Sequence, residues 1–140
     1  MVDPFDLERF VAAQEPVFLT VRRELGAGQK HNHWMWFVFP QLRALGRSPT
    51  ALRYGIASLA EARAYLAHPI LGPRLLECTG LVIAIQNRSV HAIFGSPDDL
   101  KFRSSMTLFA AAQPQSNVWA DAIAQFFNGI PDPRTVELLC

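Results

Sequence analysis

The sequence predicts an all-α fold, a compact single-domain bundle of six to eight short helices spanning residues 1–140. Three observations carry this reading. Apolar residues recur at three- and four-residue intervals along most of the chain, the spacing that gathers them on one helix face. Ten prolines and eight glycines are spread evenly, so they punctuate short elements and collect in no linker. Only one segment has the composition of a strand, and it finds no partner to pair with. A length of 140 residues suits one domain, and a half-apolar chain of that size folds without needing a metal or a disulfide. The apolar share and the net charge of +1 exclude a disordered chain.

The elements follow in order. Leu7, Phe10, Val11 and Gln14 define a first helix over residues 6–14, with Asp3 or Asp6 supplying negative charge at its start. Pro16 suits the first turn of a second helix reaching residue 25, closed by Gly26 and Gly28. Residues 34–39 (WMWFVF) have strand composition, but an isolated strand is not viable, and a short buried helix ending before Pro40 is the better reading. Ser58 and Glu61 match a capping box, and Leu59, Ala62 and Leu66 then line one face up to His68-Pro69. From Pro69 a longer helix carries the stripe Leu71, Leu75, Cys78, Val82 and Ile85, with Asn87 at its end. Residues 89–94 make one short helix closed by Gly95. Pro97 opens the next, with Asp98 and Asp99 in its first turn, reaching residue 112. Ser116 or Asn117 caps a helix striped by Trp119, Ala122, Ile123, Phe126 and Phe127 and stopped by Gly129. Asp132 caps a final helix with Pro133 at its first position.

The beginning of the chain lacks the basic and apolar regions of a signal peptide, and no apolar run approaches the ~20 residues that span a bilayer. Cys78 and Cys140 form neither a disulfide framework nor a zinc-finger spacing. The expectation is a soluble cytoplasmic protein with no membrane association. Scattered arginines and a near-neutral balance argue against broad nucleic-acid binding. No G-x-G-x-x-G, P-loop, H-E-x-x-H or EF-hand loop occurs, and His31-x-His33 lacks the spacing and third ligand of a zinc site.

Two stretches are distinctive: residues 30–41, KHNHWMWFVFPQ, and residues 99–109, DLKFRSSMTLF. They resemble the signature blocks of the bacterial and fungal family known as domain of unknown function 1810. Glu61-Ala62, Tyr65-Leu66, His68-Pro69, Leu71-Gly72, Arg74-Leu75, Phe94-Gly95 and Asp132-x-x-Thr135 extend the resemblance over nearly the whole chain. It implies a mainly helical fold and brings no activity, substrate or cofactor with it. Asn32 departs from the pattern, which leads one to expect a small residue such as Gly there. Some members carry a calpastatin-like label. Inhibitors of that kind are disordered and polar, whereas this chain is apolar and periodic.

The residues with chemical potential lie in the same two stretches. His33, Trp34, Trp36 and Gln41 combine an imidazole, two large π faces and an amide, a set able to stack and hydrogen-bond a flat ligand. In the alternative the tryptophans are core and Gln41 follows a helix stop. Asp98, Lys101 and Ser105 share one helix face, flanked by Ser104, and two adjacent serines inside a strong helix are not explained by propensity. Lys101 suits an anion or a lysine-activated serine, against the plainer reading of an Asp98–Lys101 ion pair. Eleven of the thirteen basic residues are arginine, so the two lysines, Lys30 and Lys101, stand out, one in each distinctive block. The sequence therefore points to a pocket for a small anionic or nucleotide-like ligand. That pocket is lined by His33, Trp34, Trp36, Gln41, Lys101, Ser104 and Ser105. The alternative is a non-enzymatic protein-interaction module. The sequence indicates no metal and names no cofactor.

Overall fold

The computed structural model describes residues 2–140. Among them are ten α-helices: α1 Glu8–Gln14, α2 Phe18–Ala27, α3 Met35–Val38, α4 Pro49–Arg53, α5 Leu59–Ala67, α6 Leu71–Ile83, α7 Val90–Phe94, α8 Asp98–Ala112, α9 Val118–Phe127 and α10 Pro133–Leu139. A 3-10 turn, Arg43–Leu45, precedes α4. The described residues contain no strand, only an isolated parallel bridge between Leu42 and Ile56.

The all-α expectation holds, but the count of six to eight helices was too low. Nine of the ten answer to elements named above, and the helix with no counterpart is the single-turn α4. α3 has four residues, and α4 and α7 have five each, too few to display a full apolar period. α4 has no counterpart in the sequence reading, although its signal is local: Ser48 Oγ accepts the amide of Ala51 at 3.1 Å and Pro49 fills the first helical position.

Residues 34–39 form the short buried helix expected of them. The amides of Val38 and Phe39 bond back to the carbonyls of Trp34 and Met35 at 3.2 and 3.1 Å. The carbonyl of Phe37 is taken by the Gln14 amide at 2.7 Å, so the end of this single turn needs no neighbouring strand. Several boundaries move for identifiable reasons. α1 starts at Glu8, because Asp6 is left-handed (φ 51°) and the Asp3 carboxylate accepts the Leu7 and Glu8 amides at 2.8 and 3.0 Å. α2 runs through Gly26 and stops at Gly28, whose φ is 80°. Asn128, left-handed at φ 55°, ends α9 one residue before the expected glycine. His68, which ends α5, also starts α6: its Nδ1 accepts the Ile70 and Leu71 amides at 3.1 and 3.2 Å.

The fifteen-residue α8 is the axis of the molecule, contacted by α5, α7, α9 and α10. α6 lies across α2, α5 and α9. α5 and α6 meet so closely that a Cβ on Gly72 would stand 2.1 Å from the Leu66 carbonyl oxygen. One hydrophobic core runs from Phe10 and Val21 through Trp34 and Phe39 to Phe109 and Trp119. Its aromatic centre is tightly interlocked: Phe102 meets Phe39 edge-on at 5.1 Å and stacks on Phe94 at 4.9 Å.

A buried ion pair fastens the N-terminal segment to this core. Arg9 and Glu61 meet at 2.8 Å, with side chains 7% and 3% exposed. The remaining Arg9 donors reach the carbonyls of Phe5, Asp6, Arg53 and Gly55 at 2.5 to 3.1 Å. All five guanidinium N–H groups are thereby satisfied, the condition under which a buried charge is tolerated. Ser58 caps α5 as expected, accepting the Glu61 amide at 3.2 Å. The Glu61 carboxylate, however, takes the Ala57 amide at 3.1 Å, one residue before the cap, and turns its other oxygen to Arg9.

Candidate functional site

The first distinctive block is a loop wrapped on one carboxylate. Glu24, on the inner side of α2 and 5% exposed, accepts the His31 amide at 2.8 Å, the Asn32 amide at 3.1 Å and Trp34 Nε1 at 2.9 Å. The Asn32 side-chain amide makes a further, short bond to it. Burial alone would raise the Glu24 pKa. The four N–H donors outweigh that effect and hold the carboxyl at about 2. Asn32, the departure from the expected small residue, thus contributes two of the donors. The Lys30 amide ties the same loop to α7 by donating to the Ile93 carbonyl at 2.7 Å.

The two lysines meet. Lys30 Nζ lies 2.8 Å from one oxygen of Asp98, and Lys101 Nζ lies 3.5 Å from the other. Each ammonium also lies near an indole: Lys30 is 5.2 Å from the Trp34 ring centre and Lys101 is 5.0 Å from that of Trp36. The Lys30 side chain is 6% exposed, so it is consumed in this arrangement. The Lys101 side chain keeps 22% and faces solvent in part. Two cations sharing Asp98 leave one positive charge in excess there. Asp99 is occupied nearby, 3.4 Å from His91 Nδ1.

The other candidate residues sort by depth. His33 is exposed, and Trp36 and Gln41 are partly exposed. Trp34 is buried, with its N–H given to Glu24. Ser104 donates to the Leu100 carbonyl at 3.1 Å, and the Ser105 hydroxyl is buried without a partner. The backbone carbonyl of Gln41 accepts the Ile56 amide at 2.9 Å, which anchors it beside the parallel bridge. The structure therefore joins Trp36 to Lys101 and Trp34 to Lys30, and neither His33 nor Gln41 is hydrogen-bonded to either lysine. Of the other aromatic side chains, Phe10, Tyr65, Phe102, Phe109 and Trp119 are buried, whereas Phe5, Phe37, Tyr54, Phe126 and Phe127 are partly exposed.

Sequence reasoning missed Glu24 and the Lys30–Asp98 contact. Glu24 had a signal, since an acid stood on a helix face otherwise marked by Phe18, Val21 and Leu25. Lys30 and Asp98 had none beyond the scarcity of lysine.

An all-helical domain with a carboxylate-anchored aromatic loop and a shared lysine pair is the class this architecture defines. The chain belongs to the family described as protein of unknown function (DUF1810), whose pattern matches residues 4–139. It is similar in structure to the conserved hypothetical protein Rv1873 from Mycobacterium tuberculosis. The TM-score to that crystal structure is 0.97 at 61% sequence identity, covering 98% of each chain. Among curated proteins none matches.

Proposed function

We propose that the protein binds a small anionic or nucleotide-like ligand where the loop after α2 meets the start of α8. One observation carries the reading: both lysines of the chain converge on Asp98, each beside a tryptophan. A purely structural ion pair needs one cation, and the second, Lys101, remains partly open beside the partly exposed Trp36. In this reading Lys101 neutralises the anion, Trp36 offers a π face, and His33 and Gln41 supply polar contacts from the rim. In the same reading the buried Trp34 and the α8 residues Ser104 and Ser105 complete the site. The reading involves no broad nucleic-acid binding. It places the protein in the cytoplasm, where Cys78 and Cys140, both free, remain thiols. No helix among the described residues is long and apolar enough to cross a membrane.

A thermal-shift screen of nucleotides and small carboxylates tests the reading. A ligand present at a hundred times its Kd adds about 2.7 kcal/mol of stability. The expected result is a nucleotide or carboxylate that stabilises the wild type and loses that effect in Lys101→Ala. A stabilisation that Lys101→Ala retains in full overturns the site, and a screen without any stabilising compound overturns the function.

A further inference from the structure

A second hollow lies on the surface near the Arg9–Glu61 pair. Phe5, Asp6, Arg9, Arg43, Leu52 and Arg53 line an open depression of about 360 Å³, the lower range of small-molecule sites. Arg9 receives nothing there, because its five donors are spent on Glu61 and on the carbonyls of Phe5, Asp6, Arg53 and Gly55. It fixes the walls, since those carbonyls belong to the N-terminal segment on one side and to the end of α4 on the other. Arg43 and Arg53 are different. Both are exposed, and neither makes an ion pair among the described residues. They come from separate elements that are locked together. The Arg43 amide donates to the Ile56 carbonyl at 2.8 Å, and Gly55 lies so close that a Cβ would stand 2.4 Å from the Arg43 Cα. Asp6, held left-handed at φ 51°, brings the one carboxylate of the hollow and offsets one of the two free charges. The hollow remains a net cation, with apolar Phe5 and Leu52 in its walls.

We propose that this hollow binds the phosphate group of a small phosphate monoester. Two guanidinium groups carried on fixed backbone positions, Arg53 lying over the Tyr54 ring at 5.5 Å, can each offer paired donors to phosphate oxygens, and a net positive hollow suits its charge. Phe5 and Leu52, the latter 45% exposed, offer an apolar flank to the body of the ester.

Phenyl phosphate and inorganic phosphate are the probes, titrated by calorimetry and followed by the phosphorus resonance. The proteins are the wild type, Lys101→Gln, and Arg43→Gln, Arg53→Gln and the double arginine variant, the last three each made in the Lys101→Gln background so that the site at Asp98 takes no part. Neither arginine side chain holds the fold by an ion pair, and circular dichroism verifies that the variants are folded. The expected result is that phenyl phosphate binds Lys101→Gln, in which this hollow is intact and the site at Asp98 is disabled. Each arginine variant should bind roughly tenfold more weakly, the loss of one charge-assisted contact. Binding to Lys101→Gln that survives the double arginine change overturns the site, as does a Lys101→Gln protein that binds no phenyl phosphate. Inorganic phosphate binding as tightly as phenyl phosphate overturns the ester. The Lys101 arm separates failure of this hollow from failure of the site at Asp98.

Discussion

Glu24 is the residue on which the aromatic block depends. Four N–H groups converge on a carboxylate that is nearly removed from water, and all four come from the loop that presents Lys30 and Trp34. Replacing it by glutamine turns an amide donor towards the Asn32 side chain, which also donates. Glu24→Gln should lower stability by about 2–4 kcal/mol in urea denaturation at neutral pH, the range for a lost charged acceptor and a stranded donor. The pH dependence is a separate prediction. The carboxyl moves from its ordinary 4.5 in the unfolded chain to about 2 in the fold, so the unfolded chain binds the proton more tightly. Its stabilising contribution is complete above pH 4.5, erodes as pH falls and is gone below about 2. The contribution is on the order of 3 kcal/mol. Urea midpoints measured between pH 6 and 2 should fall steeply in the wild type and more shallowly in Glu24→Gln, as an order-of-magnitude comparison. The partners of Glu24 lie within ten residues of it. What the sequence could not display is that the carboxylate faces inward.

Helix α6 shows how the same residue type can serve opposite ends. Gly72 sits where α5 and α6 touch, and an added methyl group would meet the Leu66 carbonyl oxygen at 2.1 Å, a backbone atom that cannot step aside. Gly80, two turns on, has no atom within 4 Å of the same methyl position. Gly72→Ala should therefore destabilise by roughly 2 kcal/mol or more through overpacking. Gly80→Ala should stabilise by about 0.4–1 kcal/mol through a less free unfolded chain. Thermal melts of the two variants check both signs. At this scale most of the fold was legible, because caps are local. Ser58, Ser89 and Asp132 each accept an amide three residues on, and Gly95 follows α7 as read. α4 carried the same kind of signal in Ser48-Pro49, but its five residues give no apolar rhythm to draw attention to it. His68 acting as a cap for α6 was beyond the usual vocabulary, since a ring nitrogen there replaces a hydroxyl or carboxylate.

Across the whole molecule, one core reaches from the first helix to the ninth, and α8 is packed on by four others. Such continuity predicts a single cooperative transition. Far-ultraviolet circular dichroism and tryptophan fluorescence, the latter from Trp34, Trp36 and Trp119, should report coincident urea midpoints, and midpoints that separate would contradict it. The long-range pairs were the illegible part. Arg9 and Glu61 stand 52 residues apart, and nothing local to either marks the other as its partner. Arg43 and Arg53 likewise line one hollow only because the chain crosses itself at the Leu42–Ile56 bridge. The meeting of the two lysines has a consequence for anyone handling the protein. Arginine resists acylating reagents, so apart from the amine at the start of the chain, every amine-directed reagent has a single neighbourhood to attack. Within it Lys30 is shielded and Lys101 is partly open. A dye or crosslinker aimed at amines would therefore be a site-directed label placed beside Trp36, close enough to quench its fluorescence and to report on anything that settles there.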